Sequence, residues 1–308
     1  MNLENGMTMD LTVGPVQYHW PRETLLRFYA DLADQPVQQV VLGEVVCSRR
    51  RDLKTADWLA LGRELRQAGK RVWMGTLALI ETEAELRAVR YWAEQDDLGL
   101  EANDAAAVYL AWKSGRPWRI GLHVNVYSVD ALREYRAMGA VAWVPPVELD
   151  LDTIAHVLRV GPEGLEGEVC AFGRLPLALS ARCFTARHHG VQKDHCGFIC
   201  QNDPDGLTML SQEGEPFLAI NGIQTQSAAV QSWLGDLPAI REAGVRSLRL
   251  SPCSRDFFEV IGWHQRALAG ECSAEDAVKG LRTLALPGVL ANGYLRHRTP
   301  GMQWSLHA

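Results

Sequence analysis

The sequence has no apolar run approaching the ~20 residues that a membrane-spanning helix needs. Residues 1–11 show neither the basic nor the apolar region of a secretory signal peptide. The chain also has no excess of positive charge, because 31 Lys and Arg residues face 37 Asp and Glu residues and the net charge is −6. These absences predict a cytoplasmic protein, and they argue against a nucleic-acid binder that works by neutralising phosphates.

Common catalytic motifs are missing as well. The sequence contains no H-E-x-x-H and no G-x-S-x-G, so it predicts neither a zinc peptidase nor a serine hydrolase. It also lacks the C-x3-C-x2-C motif of radical-SAM enzymes. The one basic cluster, Arg49, Arg50 and Arg51, is interpreted as a solvated surface patch.

Seven cysteines are present, and three of them lie close together with the spacing C-x12-C-x3-C. These are Cys183, Cys196 and Cys200, and the histidines among them are His188, His189 and His195. In a reducing compartment such thiols are poor disulfide candidates and better metal ligands or redox groups. Structural zinc sites usually carry paired C-x2–4-C knuckles, whereas scattered thiolates in a large domain suit an iron–sulfur cluster. The residues favour a cluster and leave zinc and reactive thiols open.

The hydrophobic pattern alternates between short apolar runs and segments of helical period. Eight strand-then-helix units predict a TIM-barrel-like (β/α)8 fold, although an open doubly wound sheet would also alternate in this way. The predicted strands are 11–14, 37–42, 72–77, 98–102, 119–124, 140–144, a broken seventh strand at 168–172 and 176–180, and 245–250.

We expect a single domain over residues 1–308, with the barrel at about 11–270 and a tail at 271–308. Residues 183–226 are rich in Gly, Asp, Asn and His, and they predict an insertion after strand seven. Two alternating segments, 207–210 and 217–220, predict a β-hairpin within it, and helical spacing is predicted to resume at Val230.

In a barrel, functional groups lie at the carboxyl ends of the strands. Cys47 follows strand two, Cys183 follows strand seven and Cys253 follows strand eight, so these thiols could meet at one mouth. Asn103, Asp104 and Asn125 follow strands four and five and are candidate pocket groups, although helix capping explains Asn103 or Asp104 equally well. Cys170 is predicted to pack inside strand seven, and Cys272 in the tail shows no sign of a role.

One phrase of the sequence resembles a known family. G-R-L-P-L-A-L-S-A-R-C-F-T-A-R-H, at residues 173–188, resembles the signature of the collagenase-like peptidases, whose TIM-barrel-like members include RNA hydroxylation proteins. Three further phrases, with C-x12-C-x3-C, resemble the branch of that family that acts in oxygen-independent ubiquinone biosynthesis. They are L-G-E-V-V-C-S-R-R-R-D-L at 42–53, E-A-N-D-A-A-A-V-Y-L-A at 101–111 and N-G-I-Q-T at 221–225.

The resemblance implies a 4Fe-4S cluster held by Cys47, Cys183, Cys196 and Cys200. It further implies a heterodimer with a UbiU-type chain that carries its own cluster. The pair would hydroxylate the aromatic ring of ubiquinone precursors without O2, with prephenate as oxygen donor and a lipid-binding accessory protein delivering the precursor. It implies no active peptidase.

Two alternatives stay open beside this function. The chain could be a non-catalytic partner whose cluster stabilises or gates the UbiU-type subunit, or it could be an RNA-hydroxylation factor like other members of the family. No catalytic residue is assigned.

The charged residues around the cysteines allow two interpretations each. Arg182 and Arg187 flank Cys183 and would offset the charge of a thiolate-ligated cluster, bind an anionic donor or make surface salt bridges. Glu44 is either buried and functional or directed outward. We interpret the three histidines as loop groups beside the cluster rather than as ligands.

Overall fold

The structure, a computed structural model, describes residues 9–295 and Trp304. Its strands are β1 Asp10–Val13, β2 Gln39–Leu42, β3 Arg71–Gly75, β4 Gly99–Ala102, β5 Trp118–Ile120, β6 Ala140–Trp143, β7 Glu166–Leu179, β8 Leu207–Leu210, β9 Pro216–Asn221, β10 Gln224–Ser232, β11 Val245–Leu250 and β12 Leu290–Ala291. Its helices are α1 Arg22–Ala33, α2 Thr55–Gln67, α3 Glu83–Ala93, α4 Ala105–Lys113, α5 Val129–Ala137, α6 Leu151–Val160, α7 Phe184–His188, α8 Leu237–Glu242, α9 Phe257–Leu268 and α10 Ala274–Leu281.

Eight of these strands form a closed parallel barrel. β1 pairs with β2, each strand then pairs with the next as far as β7, and β11 pairs with both β7 and β1 to close the ring. Helices lie between the strands, so the predicted TIM-barrel-like α/β fold is confirmed. Strand five is shorter than predicted: β5 ends at Ile120, and a 3₁₀ turn follows at Leu122–Val124.

Several helices begin at a residue whose side chain caps the first turn. Thr82 accepts a hydrogen bond from the backbone N–H of Glu85 at 3.3 Å, and Ser128 accepts one from Ala131 at 3.2 Å. Asp104, rather than Asn103, caps α4 through the N–H of Ala106. These bonds satisfy N–H groups that the first turn of a helix leaves without a partner. None of the described helices is long and apolar enough to cross a membrane.

Inside the barrel, two acidic and two basic side chains form a buried network. Arg249 binds Glu168 at 2.6 Å and also pairs with Glu101, while Arg119 binds Glu168 at 2.7 Å. Thr12 donates to Glu168 at 2.5 Å. Burial alone would raise the pKa of Glu168, but the two guanidinium groups outweigh it and lower that pKa to about 2. The network therefore joins β4, β5, β7 and β11 through buried ion pairs.

β7 is one continuous strand of 14 residues, so the predicted break within strand seven is wrong. Its first part pairs in parallel with β6 and β11, and its second part pairs antiparallel with β10. Gly173 lies at the change of partner with φ 125°, where a Cβ would approach Cβ of Ser251 to 2.5 Å. Glycine is required at this position because both the backbone angle and the space exclude a side chain.

The segment after β7 folds over the carboxyl ends of the strands. It contains α7, two 3₁₀ turns at Lys193–His195 and Ile199–Asn202, and the antiparallel strands β8, β9 and β10. The predicted hairpin is confirmed as β8 and β9, with β10 as an additional strand. The helix predicted to resume at Val230 is wrong, because that residue pairs with Arg174 in the sheet and α8 begins only at Leu237.

Candidate functional site

Cys47 lies in the loop that follows β2. Glu44 shapes this loop, because its Oε1 accepts hydrogen bonds from the backbone N–H groups of Val46 at 2.8 Å and Cys47 at 2.9 Å. Cys47 and Cys183 pack against one small apolar cluster formed by Val45, Val46 and Ile223. The fold thus brings the end of strand two and the segment after strand seven to one place.

Cys183 is the N-cap of α7, and its Sγ accepts a hydrogen bond from the N–H of Ala186 at 3.4 Å. The helix is attached to the turn between β9 and β10. Phe184 donates its N–H to the carbonyl of Gly222 at 2.9 Å, and Thr185 Oγ1 accepts from the N–H of Gly222 at 3.0 Å. Both bonds lie within the insertion and join α7 to the β9–β10 turn close to the thiol.

Cys200 lies in the second 3₁₀ turn and faces a buried histidine. Its Sγ is 3.8 Å from Nδ1 of His19, whose Nε2 is 2.5 Å from Oδ2 of Asp52. The ring of Phe198 contacts His19 edge-on, with centroids 5.2 Å apart. His19 thus connects the loops after β1 and β2 with the turn that carries Cys200.

Arg50 provides a buried positive charge among these groups. It is 6% exposed and donates hydrogen bonds to the carbonyl of Gln17 and to Oδ1 of Asn221, both at 2.7 Å. Its Nη1 is 3.7 Å from Glu44. The interpretation of the arginine run as a solvated patch is therefore wrong for Arg50. It is also incomplete for Arg49, which pairs with Asp194 at 2.9 Å.

The electrostatics show that three of the cysteines share one environment. Burial raises the pKa of Cys47, and the positive charge of Arg50 partly offsets that rise. Burial also raises the pKa of Cys200, although the positive charge of Arg50 lowers it. Negative charge on Cys47 or Cys183 raises the pKa of Cys200 further. Burial likewise raises the pKa of Glu44, with Arg50 acting in the opposite direction. The thiols of Cys47, Cys183 and Cys200 are therefore close enough to interact electrostatically.

Cys196 lies on the same loop, directly after the 3₁₀ turn Lys193–His195. Within residues 9–295 and Trp304, no group of three or more His, Cys, Asp or Glu side chains has the arrangement of ligands around a metal ion. The histidines at 188, 189 and 195 are exposed, as are Arg182 and Arg187.

The donor set fits an iron–sulfur cluster in its chemistry. Partly buried thiols are the ligands that such clusters use, and a buried guanidinium among them offsets their negative charge when they ionise. Zinc also accepts thiolates, and the residues by themselves do not distinguish the two.

The other cysteines lie apart from this group. Cys253 is 5% exposed, packs in the main core and donates its S–H to the carbonyl of Arg255 at 3.2 Å. Cys272 packs against the same core. Cys170 lies inside β7 as predicted, but it lines a small cavity, and burial raises its pKa to about 12.

A pocket of about 510 Å³ opens at the barrel mouth. His123, Asn125, Tyr127 and Glu148 contribute its polar groups, and Tyr127 donates a hydrogen bond to Glu148. Burial lowers the pKa of His123 to about 4, so the ring is neutral at pH 7. Asn125 has φ 56°, an uncommon backbone angle for a residue other than glycine.

This pocket adjoins a cavity of about 20 Å³ deeper in the barrel, room for one water molecule. Asn103, predicted as a pocket group, lines this inner cavity, and its Nδ2 donates to the carbonyl of Thr76 at 3.2 Å.

Sequence reasoning missed His19, Asp52 and the buried role of Arg50. Nothing in the local pattern distinguishes Arg50 from Arg49 and Arg51, and His19 lies far in the sequence from Cys200. Their contacts depend on how four loops pack at one barrel mouth.

Fold and site together define an α/β barrel protein with a group of cysteines at the carboxyl ends of its strands. The family model for peptidase family U32 matches residues 23–264, which is most of the chain. The protein therefore belongs to this family. The resemblance to the collagenase-like peptidases is thereby confirmed.

Solved structures with similar folds have low sequence identity to this chain. The U32 peptidase Mk0906 is 10% identical, with a TM-score of 0.45, over 82% of this chain and 97% of that one. A putative lyase/mutase from Burkholderia cenocepacia J2315 is 15% identical, with a TM-score of 0.39, and the match covers 91% of this chain and 89% of that one. A phospho-2-dehydro-3-deoxyheptonate aldolase from Thermotoga maritima is 14% identical, with a TM-score of 0.43, and the match covers 94% of this chain and 75% of that one.

Proposed function

We propose that this chain is a UbiV-type iron–sulfur protein that works with a UbiU-type partner in O2-independent hydroxylation of the aromatic ring of ubiquinone precursors. In this proposal Cys47, Cys183, Cys196 and Cys200 hold a 4Fe-4S cluster. The observation that carries it is the meeting of Cys47, Cys183 and Cys200 beside the buried Arg50. The sequence phrases around Cys47 and Cys183 support this particular branch of the family.

A bound cluster supplies one-electron transfer, and the chain's own residues prepare the place for it. Arg50 offsets the negative charge of the thiolates. Glu44 fixes the loop of Cys47 through two backbone N–H groups. The ion pair of Arg49 with Asp194 fastens the loop that carries Cys196.

The barrel-mouth pocket is the proposed place of the aromatic substrate. Its volume of about 510 Å³ lies in the range of small-molecule sites. Leu179 lines the pocket and also packs beside Cys47 and Cys183, so a ring in the pocket would lie next to the thiols. His123 and Asn125 would bind its hydroxyl groups. In the proposal the oxygen comes from a donor such as prephenate, and a lipid-binding accessory protein delivers the precursor.

Metal content tests the cluster directly. Protein purified without oxygen is expected to be coloured and to contain about four iron and four sulfide per chain. Cys47→Ser should lose most of both, whereas Cys272→Ser, which changes a thiol outside the group, should keep them. Colourless protein with stoichiometric zinc would contradict the proposal, and a fully loaded Cys47→Ser variant would contradict the ligand assignment.

Two further experiments separate the alternatives. If the anaerobic heterodimer shows no change of cluster oxidation state during a single turnover, the cluster has no electron-transfer role and the chain is a structural or gating partner.

Deleting the gene should lower ubiquinone under anaerobic growth. An unchanged quinone content with lost RNA hydroxylation would instead favour the RNA-modification function.

One observation favours a second candidate, thiol catalysis. Cys200, His19 and Asp52 stand in the order nucleophile, base and orienting carboxylate. However, burial raises the pKa of Cys200, whereas nucleophilic cysteines have lowered pKa values. Iodoacetamide alkylation of the metal-free chain tests this candidate. A rate at pH 7 well above that of free cysteine, and lost in His19→Ala, would support thiol catalysis over the cluster.

A further inference from the structure

A groove of about 340 Å³ runs between α2 and α3, on the outer side of the loop that carries Cys47. It is separate from the barrel-mouth pocket. Its apolar floor consists of Leu53, Trp58, Val89 and Trp92, all of them buried beneath it. A concave surface of this size with an aromatic floor and a mostly apolar surface has the character of a small-molecule site.

The groove is open because α3 places small residues along it. Ala84 and Ala88 face the space, whereas larger side chains at these positions would fill it. Trp92 also brings a buried Nε1–H that has no hydrogen-bond partner. Buried indole N–H groups usually have such a partner, so this donor is an unused group beside the groove.

The charged residues of the groove are not equivalent. Both acidic groups are already occupied: Glu44 accepts from the loop backbone, and Glu85 accepts from the N–H groups of Glu81 and Thr82 at 2.7 and 2.8 Å. Of the three basic residues that line the groove, Arg50 is buried and already bound to Gln17 and Asn221. Arg51 and Lys54, by contrast, are exposed at the rim, and among the described residues neither forms an ion pair with a carboxylate. The rim therefore carries two exposed positive charges, of which the charge of Lys54 also acts on Asp57.

We propose that this groove binds a small amphiphilic carboxylate, with its apolar body against Trp58 and Trp92 and its carboxylate at Arg51 and Lys54. The apolar floor and the cationic rim complement the two halves of such a molecule. The inference does not rest on the proposed hydroxylation function, since neither Arg51 nor the floor residues belong to the cysteine group. The ligand would nevertheless lie against the loop that places Cys47.

Isothermal titration calorimetry of the anaerobically purified full chain tests the proposal with three probes. Naphthalene-2-carboxylate has both halves, naphthalene-2-carboxamide lacks the charge, and inorganic phosphate lacks the apolar body. We expect saturable binding of the carboxylate, at least about fivefold weaker binding of the amide and no detectable binding of phosphate. Affinity for the carboxylate should fall as salt rises, because exposed charges are screened.

Variants locate the site. Ala88→Trp should fill the groove and weaken carboxylate binding about tenfold or more, and Ala84→Leu provides a second, milder filling. Arg51→Gln and Lys54→Gln should each weaken it about threefold, since both charges are exposed. Arg87→Gln removes an exposed arginine of α3 that does not line the groove, and it should leave affinity unchanged. Thermal unfolding and iron content confirm that each variant is folded and loaded like the parent.

Several outcomes would overturn the proposal. If the amide binds as tightly as the carboxylate, the positive charges of the rim do not contribute to binding. If phosphate binds as tightly as the carboxylate, the apolar floor does not contribute. Unchanged binding in both filled variants would place the ligand elsewhere. If no probe binds and Ala88→Trp instead changes the sedimentation coefficient of the chain, a second copy occupies the groove and the proposal is wrong.

Discussion

Three consecutive arginines have three different environments in this protein. Arg50 is buried and bound to the loop after β1 and to β9, Arg49 pairs with Asp194 of the insertion, and Arg51 is exposed at the groove. A charged side chain is buried only where its hydrogen bonds and counter-charges compensate its loss of water. Those compensating groups come from distant parts of the chain, so the sequence of the three arginines does not show which of them is buried.

Arg50→Met should destabilise the protein strongly. It removes two hydrogen bonds to buried acceptors and the cation that faces Glu44, so we expect a loss of about 3–5 kcal/mol in the free energy of unfolding. Arg51→Met, the same change one residue later at an exposed position, should cost less than about 0.5 kcal/mol. Urea unfolding followed by circular dichroism measures both. Equal effects would show that the burial of Arg50 contributes nothing.

At the scale of the element, β7 is the strand on which the two parts of the molecule join. Its amino-terminal half closes the barrel, and its carboxyl-terminal half carries the antiparallel sheet of the insertion. The sequence indicated both halves but placed a break between them, because Gly173 and Pro176 are residues that commonly interrupt strands. In the structure Gly173 lies at the change of pairing partner, and Pro176 pairs with Gln226 inside the antiparallel part.

Gly173→Ala should therefore destabilise the protein by about 2 kcal/mol or more. The new Cβ would meet Ser251 at 2.5 Å, and the φ of 125° is unfavourable for alanine. Gly262→Ala is the matched control, since Gly262 lies inside α9 with nothing within 4 Å of the added carbon. That change should stabilise the protein by about 0.5–1 kcal/mol. Thermal or urea unfolding compares the two, and a Gly173→Ala protein as stable as the parent would contradict this account of the bend.

The buried histidine of α9 predicts a pH dependence. His264 is fully buried against Phe172, and burial lowers its pKa to about 4. The unfolded chain takes up a proton near pH 6.5, so the stability that neutral His264 contributes is complete above that pH and is lost as pH falls towards 4. The expected loss is about 3 kcal/mol.

His264→Leu should remove that part of the pH slope, whereas His156→Leu, on the exposed side of α6, should leave it unchanged. Urea unfolding between pH 4 and pH 7 measures the slope. An identical slope in His264→Leu and the parent would show that other groups cause it.

At the scale of the whole molecule, barrel closure places both the charge network and the cysteines. Glu101, Arg119, Glu168 and Arg249 come from four strands and meet inside the ring. Arg249 connects the last barrel strand with the carboxylates of β4 and β7. The network therefore depends on the correct closure of the barrel, as the meeting of Cys47 with Cys183 does.

Arg249→Met should leave both buried carboxylates with one cation, and we expect a loss of about 3–5 kcal/mol in the free energy of unfolding. Arg241→Met, on the exposed side of α8, should stay within about 0.5 kcal/mol of the parent. Urea unfolding at pH 7 tests the pair. A stable Arg249→Met protein would show that this network contributes little to closure.

The sequence alone favoured the barrel and predicted the approximate positions of its strands and some helix caps, because hydrophobic period and capping chemistry are properties of neighbouring residues. It also indicated Cys183, Cys196 and Cys200 through their spacing and Cys47 through its place after strand two. Only the tertiary structure decided that Arg50 is buried, that His19 faces Cys200 and that a groove lies beside the Cys47 loop. Burial, pKa shifts and pockets arise where segments far apart in sequence exclude water together, and no local pattern records which segments will meet.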